Sequence, residues 1–206
     1  MEWAVSDSNQ KFVMLDRDGT IIVDKHYQRD PDITELLPNA RAGLQLLRSE
    51  GFGLVLVTNQ SGIGRGKLDR SDLAAVNRRM IFELGGGDDF FAGIYYCPHT
   101  PDEGCRCRKP LPGLAELAAY DLGFSKAESY VIGDREADIL MGDAVGASTV
   151  LVRTGHGAEV EEEGDVEPDY VADDLLDAAL WIVRREEWVE RVTRVGRGST
   201  RRRGGL

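Results

Sequence analysis

Two aspartates, Asp16 and Asp18, stand two residues apart directly after the apolar run 12–15. A carboxylate at the end of a buried strand can attack phosphorus, while a second one nearby handles the proton of the leaving group. Asp and Gly are also common in surface turns, so this pair alone leaves a turn open as an interpretation. Polar residues elsewhere in the chain must decide between the two.

Three further groups could complete a phosphate-processing site. The segment 58–62 begins with Thr58, whose hydroxyl could hold phosphate oxygens together with the following backbone N–H groups. Arg108 and Lys109 offer positive charge, which phosphoryl transfer requires. Asp134 offers a hard oxygen ligand for Mg²⁺, and Asp138 follows it one helical turn later.

A cysteine and histidine cluster has the pattern C-x-H-x₅-C-x-C. Its members are Cys97, His99, Cys105 and Cys107. Four soft or borderline ligands suit a tetrahedral Zn²⁺ site, and a closed set of four predicts structural rather than catalytic zinc. Unligated cysteines or a redox pair are alternatives, but the surrounding Pro, Asp, Glu and Gly indicate an exposed loop. Zinc would then fix the loop that carries Arg108 and Lys109.

The elements that must position these residues alternate along the chain. Short apolar runs cover 12–15, 54–57, 94–96, 130–132 and 150–152, and helical spacing covers 40–47, 73–84, 114–122, 137–145 and 175–183. This order predicts an α/β fold, a Rossmann-like parallel sheet with helices on both faces. Ligands of such sheets bind beyond the carboxyl ends of the strands, where Asp16, Thr58 and Asp134 fall.

The combined motifs resemble the haloacid dehalogenase superfamily of phosphohydrolases. They are D-R-D-G-T (16–20), T-N-Q-S-G (58–62), K-P (109–110) and G-D-R-E-A-D (133–138). The resemblance implies that Asp16 is the nucleophile that forms an aspartyl-phosphate, and that Asp18 is the general acid and then the base. It also implies that Thr58 and Lys109 hold the phosphoryl group. Mg²⁺ would be bound by Asp16, the backbone carbonyl of Asp18, and Asp134, with Asp138 supporting the site through hydrogen bonds.

The zinc loop narrows the resemblance to a group of phosphatases that act on D-glycero-D-manno-heptose 1,7-bisphosphate or on histidinol phosphate. T-N-Q-S-G-I-G-R-G (58–66) and V-D-x-x-Y (23–27) favour the heptose branch, whose members usually have Gly where this chain has His26. The short spacer between His99 and Cys105 resembles the histidinol branch, which stays the alternative. The substrate-binding residues implied are Asp24, Lys25, His26, Tyr27, Thr58, Asn59, Gln60, Ser61, Arg108 and Lys109.

Composition limits the partners. The 206 residues include 36 acidic and 25 basic side chains, a net charge of −11, which argues against nucleic-acid and membrane-surface binding. A nucleic-acid 3′-phosphatase and a non-catalytic zinc-stabilised binding module are therefore less favoured. Seven basic residues nevertheless fall in or beside the motifs, so we expect a locally positive pocket for a small-molecule phosphate ester. They are Arg17, Lys25, Arg65, Lys67, Arg108, Lys109 and Arg135.

The chain is expected to form one domain, 1–190, with the zinc loop at 97–107. The segments from Gly19 to Thr58 and from Ser61 to Arg108 are too short for a large cap domain, so we expect a capless member. The acid-rich stretch 159–169 predicts a solvated loop, and the basic tail 191–206 predicts disorder. The absence of a basic N-terminal stretch and of a long apolar run predicts a cytoplasmic protein, which we expect to be monomeric. The resemblance to the heptose branch implies that it removes the C7 phosphate.

Overall fold

A computed structural model describes residues 10–199. Its six strands form one parallel sheet in the order β3-β2-β1-β4-β5-β6. The strands are β1 (Phe12–Leu15), β2 (Gly53–Asn59), β3 (Gly93–Cys97), β4 (Tyr130–Gly133), β5 (Ser148–Val152) and β6 (Tyr170–Ala172). The helices are α1 (Ala40–Ser49), α2 (Arg70–Glu83), α3 (Gly113–Leu122), α4 (Glu136–Val145), α5 (Gly157–Glu163) and α6 (Leu175–Ser199). The predicted fold class is confirmed.

The sheet is buried on both faces, which explains why its strands are continuously apolar. Val13 and Leu15 pack in one cluster with side chains of α1, α2 and α6, whereas Met14 packs in a second cluster with α3 and α4. Successive side chains of a strand point to opposite faces, so a strand covered on both sides has no position left for a polar residue.

The acid-rich segment was predicted as a loop, and for its first part that prediction is wrong. Helix α5 spans Gly157–Glu163, and Val160 packs there against Ile139 and Leu151. One buried valine and the good helix propensity of Glu suffice for two turns whose acids face solvent. The three-residue strand β6, which follows, gave no recognisable signal in the sequence.

Helix α6 continues to Ser199, so residues 191–199 of the predicted disordered tail are helical, while the domain boundary at residue 190 stays a prediction. The first half of α6 packs against α1 through buried residues such as Ala178 and Ile182, which nucleates the helix. Extending a nucleated helix through Arg, Glu and Val residues costs little, even without packing. Residues 200–206 lie outside the described part of the chain, so the prediction of disorder is not tested for them.

Strand β1 lies between β2 and β4. The chain adds β2 and β3 on one side of β1 and then crosses over to add β4, β5 and β6 on the other side. Leu15 pairs with Leu56 on one side and with Ile132 on the other, so the three carboxyl ends meet at one point of the sheet edge. A ligand site is expected at such a switch point. Between β1 and β3 the described chain contains only loops, a short turn at Pro31–Ile33, α1, β2 and α2, in agreement with the predicted lack of a cap. Within residues 10–199, no helix has the combined length and apolar character that a bilayer crossing requires.

Candidate active site

Lys109 stands at the centre of the site, although it is only 4% exposed. Its Nζ donates hydrogen bonds to Asp16 Oδ1 and to the Val57 carbonyl, both at 2.7 Å, and forms an ion pair with Asp138 Oδ1 at 2.6 Å. Burial opposes the charge, yet the carboxylates of Asp138 and Asp16 hold the pKa of Lys109 above its ordinary value. The site therefore contains a permanent, immobile ammonium beside the predicted nucleophile.

Asn59 fixes the backbone of Lys109. Its Nδ2 donates to the Lys109 carbonyl and its Oδ1 accepts from the Lys109 N–H, both at 3.1 Å. Asn59 was predicted to contact substrate, and it does line the cavity, but its amide is engaged by this reciprocal pair. Its side chain thus holds the lysine loop against the end of β2.

Asp134 is fully buried behind Asp16. Its Oδ1 accepts from the Thr20 hydroxyl at 3.1 Å and its Oδ2 accepts from the His156 N–H at 3.0 Å. Carboxylate oxygens of Asp16, Asp134 and Asp138 all lie within 4.8 Å of one another. Burial, together with the charges of Asp16 and Asp138, raises the pKa of Asp134 to about 8. Crowded hard oxygens of this kind are the donor set that Mg²⁺ prefers, so the residues present fit that ion.

Two glycines pack directly against Asp134. A Cβ atom at either Gly19 or Gly155 would lie 2.2 Å from Asp134 Oδ2, and both residues have positive φ angles, +85° and +58°. The Thr154 hydroxyl donates to the Gly19 carbonyl at 2.7 Å, which joins the loop after β5 to the loop after β1. The backbone can approach Asp134 this closely because both residues are glycines and have no Cβ atom.

Asp18 occupies a different environment from Asp16. Its Oδ2 accepts from Arg17 Nη2 at 2.9 Å and from Gln60 Nε2 at 2.8 Å, while its side chain keeps 20% exposure. Burial raises the pKa of Asp18 even though the Arg17 guanidinium opposes the shift. A carboxyl group with a raised pKa can carry a proton, which suits a general acid.

The other three residues of the 58–61 segment border the same cavity as Asn59. Thr58 and Ser61 line the cavity at the end of β2. The Thr58 hydroxyl accepts from Gln60 Nε2 at 3.0 Å, and Gln60 is 5% exposed. Gln60 was predicted to bind substrate, but its side-chain bonds go to neighbouring protein groups.

A cavity of about 350 Å³ opens in front of these residues. Arg65, Arg108 and Arg135 line it together with four aspartates, Asp16, Asp18, Asp24 and Asp138, so the locally positive pocket stays a prediction. Arg135 Nη2 lies 3.3 Å from Asp24 Oδ2, so an ion pair crosses part of the rim. Arg135 was expected near the pocket as a basic residue beside the motifs, but it was not among the predicted substrate-binding residues.

The loop 24–27 forms another part of the wall. His26 and Tyr27 line the cavity and adopt positive φ angles of 45° and 49°, which Asp24 supports by accepting a hydrogen bond from the His26 N–H at 2.9 Å. The left-handed backbone at position 26 is one that Gly would adopt without strain. Lys25 points elsewhere, because its Nζ donates to the Ile33 carbonyl at 2.6 Å and to Glu35 at 3.0 Å.

The cysteine and histidine cluster converges on one point beside this wall. Sγ of Cys97 lies 3.5 Å from Sγ of Cys105, and Nδ1 of His99 lies 3.2 Å from Sγ of Cys107. A tetrahedron with bonds of about 2.3 Å has edges of about 3.7 Å, so these separations suit four ligands around one ion. The same loop places Pro101 in the cavity wall.

Comparison with known proteins places the chain in a family. The HAD-hydrolase-like family model matches residues 106–178. A D-glycero-beta-D-manno-heptose-1,7-bisphosphate 7-phosphatase of Haemophilus ducreyi is 37% identical over 183 residues, which span 84% of this chain and 98% of the relative. Its namesake from Yersinia pestis is 39% identical over 173 residues, which span 80% of this chain and 91% of the relative.

A solved structure gives the same result. The D,D-heptose 1,7-bisphosphate phosphatase from B. bronchiseptica, complexed with magnesium and phosphate, superposes with a TM-score of 0.80 at 32% identity. The match covers 85% of this chain and 99% of that one. Two aspartates and a buried lysine at the switch point of the parallel sheet agree with the haloacid dehalogenase-like class of hydrolase that the comparisons give. The chain belongs to this superfamily and, within it, to the family of the heptose-bisphosphate phosphatases.

Proposed function

We propose that the chain is a Mg²⁺-dependent phosphatase that removes the C7 phosphate of D-glycero-D-manno-heptose 1,7-bisphosphate. The observation that carries this proposal is the contact of Asp16 with the buried ammonium of Lys109, with Asp18 beside the same cavity. Relatives that match almost their whole length carry the name of this activity.

The two aspartates divide the chemistry. An oxygen of Asp16 attacks phosphorus, the bond from phosphorus to the sugar oxygen breaks, and that oxygen takes the proton of Asp18. In the second step Asp18 accepts a proton from water, whose oxygen attacks phosphorus and releases Asp16 and inorganic phosphate. Thr58 and Lys109 hold the transferring oxygens, and the fixed charge of Lys109 requires no reorganisation.

Asp16, the backbone carbonyl of Asp18, and Asp134 would hold Mg²⁺. When bound, the ion neutralises charge so that an anionic carboxylate can approach an anionic phosphate. Asp138 is left out of this set because one of its oxygens is paired with Lys109 and the other accepts the Arg135 N–H at 3.1 Å. Its role is to orient the lysine.

The cavity wall favours a bisphosphate over histidinol phosphate. Arg65 and Arg108 offer guanidinium groups that can pair with a second phosphate. Histidinol phosphate carries an ammonium group instead, which these charges would repel. Asp24 could attract that ammonium, but it is already paired with Arg135. Asp24, His26, Tyr27 and Ser61 complete the proposed sugar contacts, and Lys25 is no longer included.

We further propose that Zn²⁺ binds the four clustered ligands and stiffens the loop before Arg108 and Lys109. The donor set of three thiols and one imidazole is typical of structural zinc. None of the three cysteines forms a disulfide, as is usual for proteins of the cytoplasm, and we propose that compartment. We also propose that the protein is a monomer.

Phosphate release by the purified protein with Mg²⁺ tests the proposal. We expect kcat/KM for the heptose bisphosphate to exceed that for histidinol phosphate by about 30- to 150-fold, since a charge contact of this kind discriminates by about 2–3 kcal/mol. Asp16→Asn should abolish turnover with the fold retained, whereas Asp88→Asn, an exposed control, should not. Faster turnover of histidinol phosphate would refute the substrate, and an active Asp16→Asn variant would refute the mechanism.

A further inference from the structure

Arg17 carries a permanent charge but is only 1% exposed. A guanidinium group in the interior is stable only when its N–H donors have partners. Its Nε lies 3.2 Å from both carboxylate oxygens of Asp18, and its Nη2 lies 3.1 and 2.9 Å from the same two oxygens. Two nitrogens of the Arg17 guanidinium group therefore both contact the carboxyl group of Asp18.

The other side of the guanidinium is fastened to two further elements. Nη1 of Arg17 donates to Asn77 Oδ1 at 3.0 Å, and Nη2 also donates to Gln60 Oε1 at 3.1 Å. Asn77 is 6% exposed in the middle of α2, a helix whose first turn is closed by Asp69 through a capping box. Gln60 is tied to β3, because its N–H donates to the Cys97 carbonyl at 2.7 Å. The guanidinium group of Arg17 is thus held in place by α2 and by the residue after β2.

This arrangement fixes the direction of the Asp18 carboxyl group. Gln60 Nε2 also donates to Asp18 Oδ2 at 2.8 Å. The exposed part of the Asp18 side chain borders the cavity. A free aspartate rotates among several staggered conformers. Proton transfer needs the carboxyl oxygen within about 2.6–3.2 Å of the leaving oxygen, so a rotating side chain would be misplaced most of the time.

We infer that Arg17, anchored by Asn77, is a positioning residue that orients Asp18 for proton transfer to the leaving group. The inference rests on the proposed phosphatase function. Lysine cannot replace the arginine here, because a single ammonium cannot contact both oxygens of Asp18 while also reaching Asn77 and Gln60. A general acid that is held in this way matters only when the leaving group requires a proton.

Two esters with different leaving groups test the role. The sugar phosphate must leave with a proton, whereas p-nitrophenyl phosphate releases a stable anion without one. For Arg17→Lys we expect kcat on the sugar phosphate to fall about 100-fold with KM changed less than about 3-fold. The kcat/KM for p-nitrophenyl phosphate, which reports transfer to Asp16, should fall less than about 5-fold.

Asn77→Leu provides a second variant, which keeps the Arg17–Asp18 pair but removes its anchor. It should show the same pattern with a loss of about 10-fold in kcat on the sugar phosphate. Arg78→Lys, on the exposed side of the same helix, is the matched control and should equal the wild type. Circular dichroism establishes folding, and Asn77→Leu decides the question if Arg17→Lys does not fold.

Equal losses on the two esters, a loss confined to KM, or wild-type kinetics in both variants would overturn the positioning role. In each of these cases the wild-type protein still hydrolyses the sugar phosphate and Asp16→Asn does not, so the proposed function stands. A wild-type protein without phosphatase activity would instead refute both proposals.

Discussion

Replacing Gly155 by alanine should damage the site through Asp134. The new Cβ would lie 2.2 Å from Asp134 Oδ2 and 2.6 Å from the Gly19 Cα, whereas ordinary contacts begin at 3.4 Å. Asp134 cannot simply rotate away, because Thr20 and the backbone of His156 hold its two oxygens. The carboxylate or the loop must therefore move by about 1 Å, a shift that typically costs about 100-fold in rate.

The stability cost has two parts. A non-glycine residue at a φ of +58° costs about 1–2 kcal/mol, and forcing extra volume into a packed interior costs about 1–3 kcal/mol. The sum is about 2–5 kcal/mol, which at about 3 °C per kcal/mol lowers Tm by about 6–15 °C. Gly164 separates the two parts, because its φ is +70° but a Cβ there would meet nothing within 4 Å.

Thermal unfolding and Mg²⁺-dependent turnover of Gly155→Ala and Gly164→Ala measure both effects. Gly164→Ala should lose only about 3–6 °C in Tm, from backbone strain alone, with kcat and the Mg²⁺ requirement unchanged. Gly155→Ala should lose more Tm, about 100-fold in kcat, and affinity for Mg²⁺. If the two variants had the same kcat and the same Mg²⁺ dependence, the idea that these glycines place Asp134 would be wrong.

Three further perturbations follow from the buried charges and from the zinc loop. Lys109→Met leaves Asp16 and Asp138 facing each other without the cation between them, so kcat/KM should fall by at least about 1,000-fold, measured by phosphate release. Cys105→Ala should lower zinc content, measured by atomic emission, and Tm before it affects the chemistry of a folded sample. Mg²⁺ should raise Tm more at pH 8 than at pH 6. Burial raises the pKa of Asp134 to about 8, so between pH 6 and pH 8 the metal-free folded state binds a proton that the unfolded state lacks. The metal-free protein therefore becomes less stable as pH rises. At pH 6 Mg²⁺ must displace that proton, so it stabilises the protein less than at pH 8.

Each of these perturbations has its own control. Lys126→Met removes a partly exposed lysine and should leave kcat/KM unchanged. Zinc content that stayed at the wild-type level in Cys105→Ala would contradict the ligand assignment. A Mg²⁺-induced rise in Tm that was equal at pH 6 and pH 8 would show that Asp134 is already ionised at pH 6.

The strands that carry the site could be predicted from the sequence, because burial on both faces requires a continuous run of apolar residues. Met14 and Leu15 point to opposite layers, and both layers require apolar residues. Strand β6 borders only β5 and is three residues long, so it produces no such run. Helix α5 depends on one buried valine, Val160, among acids that also suit a loop.

Residues at strand ends were predictable, while their partners were not. Asp16 follows an apolar run directly and Asp134 follows one after a single glycine, and those positions identify them. Asn77 is an ordinary polar residue in a helix, and nothing local indicates that it meets Arg17 across the fold. Lys25 shows the converse limit, since its spacing suits the cavity but two nearby acceptors, the Ile33 carbonyl and Glu35, turn its ammonium away.

The course of α6 determines how the molecule can be handled. The helix starts past the carboxyl edge of the sheet and runs back, so Arg194 lies near Gln10 and Lys11 at the amino edge, where they line a common cleft. Gln10 and Arg194 therefore lie on the side of the sheet opposite the cavity mouth. A surface linker attached at Arg194 would leave the catalytic opening directed into solvent, which suits the enzyme to oriented immobilisation.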